Sequence, residues 1–217
     1  MLILRKIINL YFLIIVMLNK SIWGEGEVLT LRLLKQTEMK GTWLDLAAGD
    51  GRYLPELLEK VNKLTVSDLN TNELKKIESK LSEKQKQKVE LKQFDITTTF
   101  PFDDKSFDGV FCTGTLHLFK EKQLEFIFLE INRILKKKGM IILDFATDIQ
   151  REPFNKQDES KYSTLYTMNA AKKLLKRFLK NYSITMQEST YEDNLLHTPE
   201  YGFKAKGKFI LLIGEKQ

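Results

Sequence analysis

The fold of this chain is decided at residues 43–55, which read WLDLAAGDGRYLP. The apolar start predicts a buried β-strand, the small residues after it predict a tight turn, and the last three residues predict the opening of a helix. Because the turn carries few side chains, a ligand can approach its backbone closely. Asp45 ends the strand and Asp50 lies inside the turn. Two carboxylates there repel a pyrophosphate and attract an ammonium or sulfonium group.

The glycines of this turn distinguish two families of cofactor-binding proteins. The dinucleotide motif needs Gly-x-Gly-x-x-Gly, but Leu54 stands at its third glycine, after Gly49 and Gly51. The pattern Asp-x-Ala-x-Gly-x-Gly that begins at Asp45 instead resembles the first motif of class I S-adenosylmethionine-dependent methyltransferases. Within that family the chain looks like the type 11 and type 25 methyltransferases. The family usually has glycine where this chain has Ala47.

Strands and helices are predicted to alternate along most of the chain. The predicted strands lie at residues 43–46, 64–70, 89–94, 110–112, 140–145, 182–190 and 208–214. This alternation, followed by two adjacent strands, predicts an α/β fold. The resemblance implies a Rossmann-like three-layer sandwich with a mostly parallel seven-stranded sheet and an antiparallel terminal strand. The ligand of such a sheet is expected beyond the carboxyl ends of its strands.

Two amphipathic helices are predicted inside this pattern. Asn70 and Glu73 predict a capping box at the start of the first helix. The second helix is expected to stop at Gly139, with the lysines at 136–138 complementing its C-terminus. The apolar positions with helical spacing are Leu74, Ile77 and Leu81 in the first helix and Leu124, Ile127, Phe128, Ile131, Ile134 and Leu135 in the second.

The resemblance also assigns the parts of S-adenosylmethionine to successive motifs. The methionine end is expected at the first turn and at Thr113, after the fourth strand. Asp68 ends the second strand and is expected to accept hydrogen bonds from two ribose hydroxyls. Asp95 is expected to bind the adenine amine while Ile96 lies against the ring. The full set of expected cofactor-binding residues is Asp45, Ala47, Gly49, Gly51, Asp68, Leu69, Asp95, Ile96 and Thr113.

These motifs cover residues 43–146 and imply methyl transfer to an O, N, S or C nucleophile by in-line displacement. A small-molecule acceptor is expected, because residues 113–116 replace the Asn-Pro-Pro-Tyr pattern that the family uses for amines of bases and side chains. His117 is a conceivable general base, although Leu-His-Leu is equally typical of a histidine at a helix start. No catalytic residue is assigned, because aligning the acceptor with the methyl group supplies much of the acceleration.

The composition favours one globular domain that binds no metal. The chain has 217 residues, of which 42% are hydrophobic, and only two histidines. Cys112 is the single cysteine, so it forms no internal disulfide and indicates the cytoplasm. The net charge is +6, and its densest basic patch lies at residues 172–180. Apolar residues interleave with that patch, which favours an amphipathic helix on the sheet over a nucleic-acid surface.

Residues 1–42 are expected to form an N-terminal helical cap on a methyltransferase domain at residues 43–217. The apolar residues 7–18 follow two basic residues, as in a signal peptide, but no small-residue cleavage site follows them. They are also fewer than the roughly 20 residues that span a bilayer. A turn or a flexible lid is expected at residues 23–26. Two alternatives stay open: an RNA- or membrane-surface-associated methyltransferase, and a nicotinamide-dependent oxidoreductase.

Overall fold

The computed structural model describes residues 24–152, 166–194 and 204–217. Its strands are β1 (Thr42–Leu46), β2 (Lys63–Asp68), β3 (Val89–Gln93), β4 (Phe107–Cys112), β5 (Leu135–Glu152), β6 (Tyr182–Asn194) and β7 (Lys204–Lys216). They form one sheet in the order β3-β2-β1-β4-β5-β7-β6. The strands from β3 to β5 pair in parallel, whereas β7 runs antiparallel to both β5 and β6. The expected seven-stranded mixed sheet is confirmed.

Helices cover both faces of the sheet. They are α1 (Gly24–Gln36), α2 (Leu54–Lys60), α3 (Thr71–Lys80), α4 (Glu83–Lys86), a 3-10 turn (Leu116–Leu118), α5 (Glu121–Ile134) and α6 (Met168–Phe178). Leu34, Leu57 and Ile77 bring α1, α2 and α3 into one buried core. Ile131 and Leu175 bring α5 and α6 into the core on the opposite face. The result is the expected three-layer arrangement.

The central strands are apolar on both sides because both faces of the sheet are covered. Trp43 of β1 and Phe111 of β4 face the α1–α3 side. Their neighbours Leu44 and Cys112 face the α5–α6 side. This alternation follows from the two-residue period of a strand, and burial on both faces produces the near-continuous apolar runs. Cys112 is fully buried and packs as a small apolar side chain.

The predicted end of the second amphipathic helix is wrong. Helix α5 ends at Ile134, and β5 begins at Leu135, which pairs with Phe107 of β4. Residues 136–138 and Gly139 therefore lie in β5. Gly139 is needed for close packing, because a Cβ there would lie 2.9 Å from the carbonyl oxygen of Lys136. Strand pairing has overridden the helical pattern at this point.

The predicted start of α3 is confirmed in part. The side chain of Asn70 caps the helix by accepting a hydrogen bond from the Asn72 amide at 3.0 Å. The capping box with Glu73 is absent, because the Asn70 amide donates instead to Asp68 Oδ1 at 2.8 Å. The predicted apolar face is buried, as Ile77 shows with no exposed surface.

The last three strands are longer than predicted. Strand β5 continues to Glu152, seven residues past its expected end at 145. Strand β6 continues to Asn194 instead of ending at 190, and β7 begins at Lys204 instead of at 208. The two strands pair along their whole length. Residues 191–194 and 204–207 of the long connector expected between them therefore belong to the two strands, and residues 195–203 lie outside the described residues.

The basic patch lies on α6 and is explained by packing. The inner face of the helix is buried and apolar, and it consists of Ala171, Leu174 and Leu175. Two of the basic residues form ion pairs with other elements, Lys172 with Glu188 and Arg177 with Glu121. This arrangement is that of an amphipathic helix covering the sheet.

The prediction of a turn or lid at residues 23–26 is wrong for residues 24–26, because α1 begins at Gly24. The apolar stretch at residues 7–18 lies outside the described residues. Within the described ranges, no helix combines the length and apolar character needed to cross a membrane.

Candidate functional site

The turn after β1 is tied to the neighbouring strand by backbone hydrogen bonds. The Ala48 amide donates to the Ser67 carbonyl oxygen at 2.8 Å. The Gly49 amide donates to Asp68 Oδ2 at 2.9 Å. The Gly51 amide donates to the Ala48 carbonyl oxygen at 3.1 Å, which closes the turn. The turn is therefore held in one conformation against the carboxyl end of β2.

Three residues of this turn adopt a left-handed backbone conformation, with φ of 59° at Ala47, 56° at Gly49 and 72° at Gly51. Ala47 is strained there, which explains why the resembled family has glycine at this position. A Cβ on Gly49 would meet nothing within 4 Å, whereas a Cβ on Gly51 would lie 2.8 Å from Ile77 Cγ1. Gly49 therefore borders open space, and Gly51 is required by packing against α3.

Asp68 has a structural role as well as its expected role at the ribose. One carboxylate oxygen accepts from Gly49, and the other accepts from Asn70. Each carboxylate oxygen can accept a second hydrogen bond. Asp68 can therefore bind two hydroxyl groups while it still holds the turn.

Asp45 is a buried carboxylate without a partner in the described residues. It is 3% exposed, and no described residue donates a hydrogen bond to it. Burial, and then the nearby Asp68 and Asp50, raise the pKa of Asp45 to about 7. Arg52 was the alternative partner, but its Nε pairs with Asp50 Oδ1 at 3.0 Å. A desolvated carboxylate of this kind is stabilised by a cationic ligand.

The residues expected at the adenine lie at the β3 side of the sheet. Asp95 Oδ1 accepts hydrogen bonds from the Thr97 amide at 2.8 Å and from its hydroxyl at 2.7 Å. Ile96 is 6% exposed and its side chain packs into the α5–α6 core. Leu69 is 60% exposed. The apolar surface offered to a ligand at this edge is that of Leu69.

One carboxylate at this edge of the sheet is missed by the sequence analysis. Leu143 of β5 pairs with Cys112, so Asp144 lies beside Thr113 where β4 ends. The Gly114 amide donates to Asp144 Oδ1 at 2.7 Å. Burial raises the pKa of Asp144 to about 6. Asp144 is an acid inside the apolar run MIILDFA, just as Asp45 is an acid inside an apolar strand. This shared pattern is the sequence signal that could have identified Asp144.

Tyr53 connects the site to α1. Its ring makes an edge-to-face contact with Phe111, with 5.2 Å between the ring centroids. The pKa of its hydroxyl is raised, first by burial and then by the nearby Asp144, and Thr30 of α1 lies within its reach. Helix α1 therefore lies beside Tyr53, which in turn contacts the end of β4.

His117 lies in the 3-10 turn after β4. Its Nδ1 is buried and has no hydrogen-bond partner in the described part of the chain. Burial, and then the charge of Arg151, lower the pKa of His117 to about 4. The imidazole is therefore uncharged at neutral pH. Among the described residues, no group of three or more His, Cys, Asp or Glu side chains could hold a metal ion.

A family model described as a methyltransferase domain matches residues 44–143. Solved structures share the fold. The YcgJ protein of Bacillus subtilis has a TM-score of 0.66 and 17% identity, over 87% of this chain and 98% of that one. An S-adenosylmethionine-dependent methyltransferase of Mesorhizobium loti has a TM-score of 0.62 and 14% identity, over 86% and 95%. DhpI, solved with S-adenosylmethionine and HEP, has a TM-score of 0.60 and 16% identity, over 87% and 84%. No curated protein matches the chain significantly.

Residues 44–143 thus match a methyltransferase domain, and the chain shares the fold of solved S-adenosylmethionine-dependent methyltransferases. The residues of the site fit S-adenosylmethionine. Gly49 opens onto free space, no described residue pairs with the charge of Asp45, and Leu69 exposes an apolar surface.

Proposed function

We propose that this protein transfers a methyl group from S-adenosylmethionine to a small-molecule acceptor by in-line displacement. The observation that carries the proposal is the Asp45 carboxylate, buried beside the open face of Gly49 with no donor among the described residues. Such a site favours a ligand with cationic groups and disfavours a phosphate. When bound, S-adenosylmethionine supplies an electrophilic methyl group on a positively charged sulfur.

The proposed binding residues follow one another across the sheet. Asp95 follows β3, and Asp68 ends β2. Asp45 lies in β1, and Thr113 follows β4. Neighbouring strands lie about 4.8 Å apart, so this row extends over about 15 Å. We assign the adenine to Asp95 and Ile96, with the exposed Leu69 beside them, and the ribose to Asp68. We assign the methionine end to Asp45, Ala47, Gly49, Gly51 and Thr113. The linear order of these groups supports an elongated nucleoside ligand.

The surroundings of the site support a small acceptor and a capping role for α1, the described helix of the cap that was expected at residues 1–42. Helix α1 lies beside the site through Thr30, and its Leu34 is fully buried in the core. We propose that α1 limits the size of the acceptor. The buried single thiol of Cys112 supports a cytoplasmic location.

Calorimetry with S-adenosylhomocysteine, the stable product, tests the proposed function. We expect binding by the wild type and at least tenfold weaker binding by Asp68→Ala, which corresponds to about 1.4 kcal/mol. Asp103→Ala removes an exposed carboxylate before β4, at the opposite edge of the sheet, and should leave the affinity unchanged. Unchanged affinity in Asp68→Ala would remove Asp68 from the site. Tight NADH binding without S-adenosylhomocysteine binding would instead establish an oxidoreductase.

A further inference from the structure

We propose that Asp144 recognises the acceptor and selects molecules that present an N–H or O–H group over anionic molecules. This inference rests on the proposed function, because the position of the cofactor defines the side from which the acceptor approaches. It deepens that function by assigning a chemical class to the acceptor. Asp144 is outside the set of residues that hold the cofactor.

The order of the strands places Asp144 on the acceptor side. The proposed cofactor residues extend from β3 through β2 and β1 to Thr113 after β4. The next strand in the sheet is β5, and Asp144 stands on it directly beside Thr113. The methionine end of the cofactor is assigned to Thr113, so the next functional group along the same edge is the Asp144 carboxylate.

The carboxylate of Asp144 is held in place and keeps free accepting capacity. Its Oδ1 accepts the Gly114 amide at 2.7 Å. Its Oδ2 accepts no hydrogen bond from the described residues, and the side chain is only partly covered. A fixed carboxylate oxygen with unused accepting capacity is a suitable partner for an ammonium, amine or hydroxyl group.

The groups around Asp144 favour the same class of acceptor. Tyr53 lies near Asp144, and Glu27 of α1 also lies near Tyr53. Arg52 is the cation that acts on Asp144, and its Nε is bonded to Asp50. The Asp144 carboxylate repels a carboxylate or phosphate on an acceptor, whereas it attracts a cation.

Matched probes on the protein saturated with S-adenosylhomocysteine test this inference. We use 2-phenylethylamine and 3-phenylpropionate, which share a phenylethyl group and differ in the charged group. We expect calorimetry to show at least tenfold tighter binding of the amine by the wild type. Asp144→Asn should abolish this preference. Asp103→Asn removes the same charge from an exposed position and should retain it.

Each outcome decides the inference separately from the proposed function. Failure of S-adenosylhomocysteine to bind overturns the proposed function itself. If it binds, then equal affinities, preference for the acid, no binding of either probe, or an unchanged preference in Asp144→Asn overturns the role of Asp144 alone. If circular dichroism shows that Asp144→Asn is unfolded, a wild-type crystal soaked with the amine replaces it. The amine nitrogen should then lie within hydrogen-bond distance of Asp144 Oδ2, and any other position overturns the inference.

Discussion

Gly49 and Gly51 share a left-handed backbone but differ in what surrounds them, and this difference yields a quantitative prediction. In Gly51→Ala the new Cβ would lie 2.8 Å from Ile77 Cγ1. Backbone strain of about 1–2 kcal/mol and overpacking of about 1–3 kcal/mol add, and the lower entropy of the unfolded chain increases stability by about 0.4–1 kcal/mol. The expected destabilisation is about 1–5 kcal/mol. Gly49→Ala has the strain without the clash, so its expected cost is below about 1.5 kcal/mol.

Urea denaturation followed by circular dichroism measures both stabilities, and calorimetry with S-adenosylhomocysteine measures both affinities. Gly49→Ala should weaken the binding at least tenfold, because its methyl group fills the space through which the ligand approaches the backbone. Folded Gly51→Ala should keep most of its affinity, since its methyl group points towards α3. The reasoning is refuted if Gly49→Ala is the less stable variant, or if it binds the product as well as the wild type.

Three further predictions concern the turn, the pH dependence and the core. Ala47→Gly relieves the strain at φ 59° and should change stability by between 0 and about +1 kcal/mol in urea denaturation; clear destabilisation would contradict the strain. Asp45 has a pKa of about 7, so it is protonated and cannot pair with a cation below that pH. The affinity for S-adenosylhomocysteine should therefore rise as the pH rises through about 7, and Asp45→Asn should abolish this rise. The stability of the ligand-free protein should fall as the pH rises from about 4 to 7, because Asp45 holds its proton more tightly in the folded state than in the unfolded state. Arg133→Ala removes the cation that pairs with Glu130, which is 8% exposed, and should lower the free energy of unfolding by about 2–4 kcal/mol. Arg177→Ala breaks an exposed ion pair and should lower it by less than about 1 kcal/mol. Thermal denaturation measures both changes.

The sequence predicts the part of the fold that depends on local chemistry. The turn after β1 is recognisable because small residues and glycines are needed where φ is positive. The apolar faces of α3 and α5 follow from helical spacing. The lengths of β5, β6 and β7 could not be predicted, because distant residues of the hairpin stabilise one another by pairing and carry no local apolar signal. The end of α5 was missed for the same reason, since pairing of Leu135 with Phe107 decides it.

The site could be predicted where a carboxylate ends a recognisable strand. Asp45 and Asp68 are found in this way, and the structure places both beside the turn. Asp144 is visible in the sequence as an acid inside an apolar run, but its position beside Thr113 depends on the register between β4 and β5, which the sequence does not show. The contribution of α1 through Thr30 depends on packing across the face of the sheet and has no sequence signal either.

The position of S-adenosylhomocysteine in a crystal of the protein soaked with this product is the decisive measurement. We expect the ligand across the carboxyl ends of β2, β1 and β4, with its ribose hydroxyls on Asp68 and its amino group beside Asp45. A cleft that stays empty, or one that binds a phosphorylated nucleotide with its phosphates at the Gly49 turn, would contradict the account.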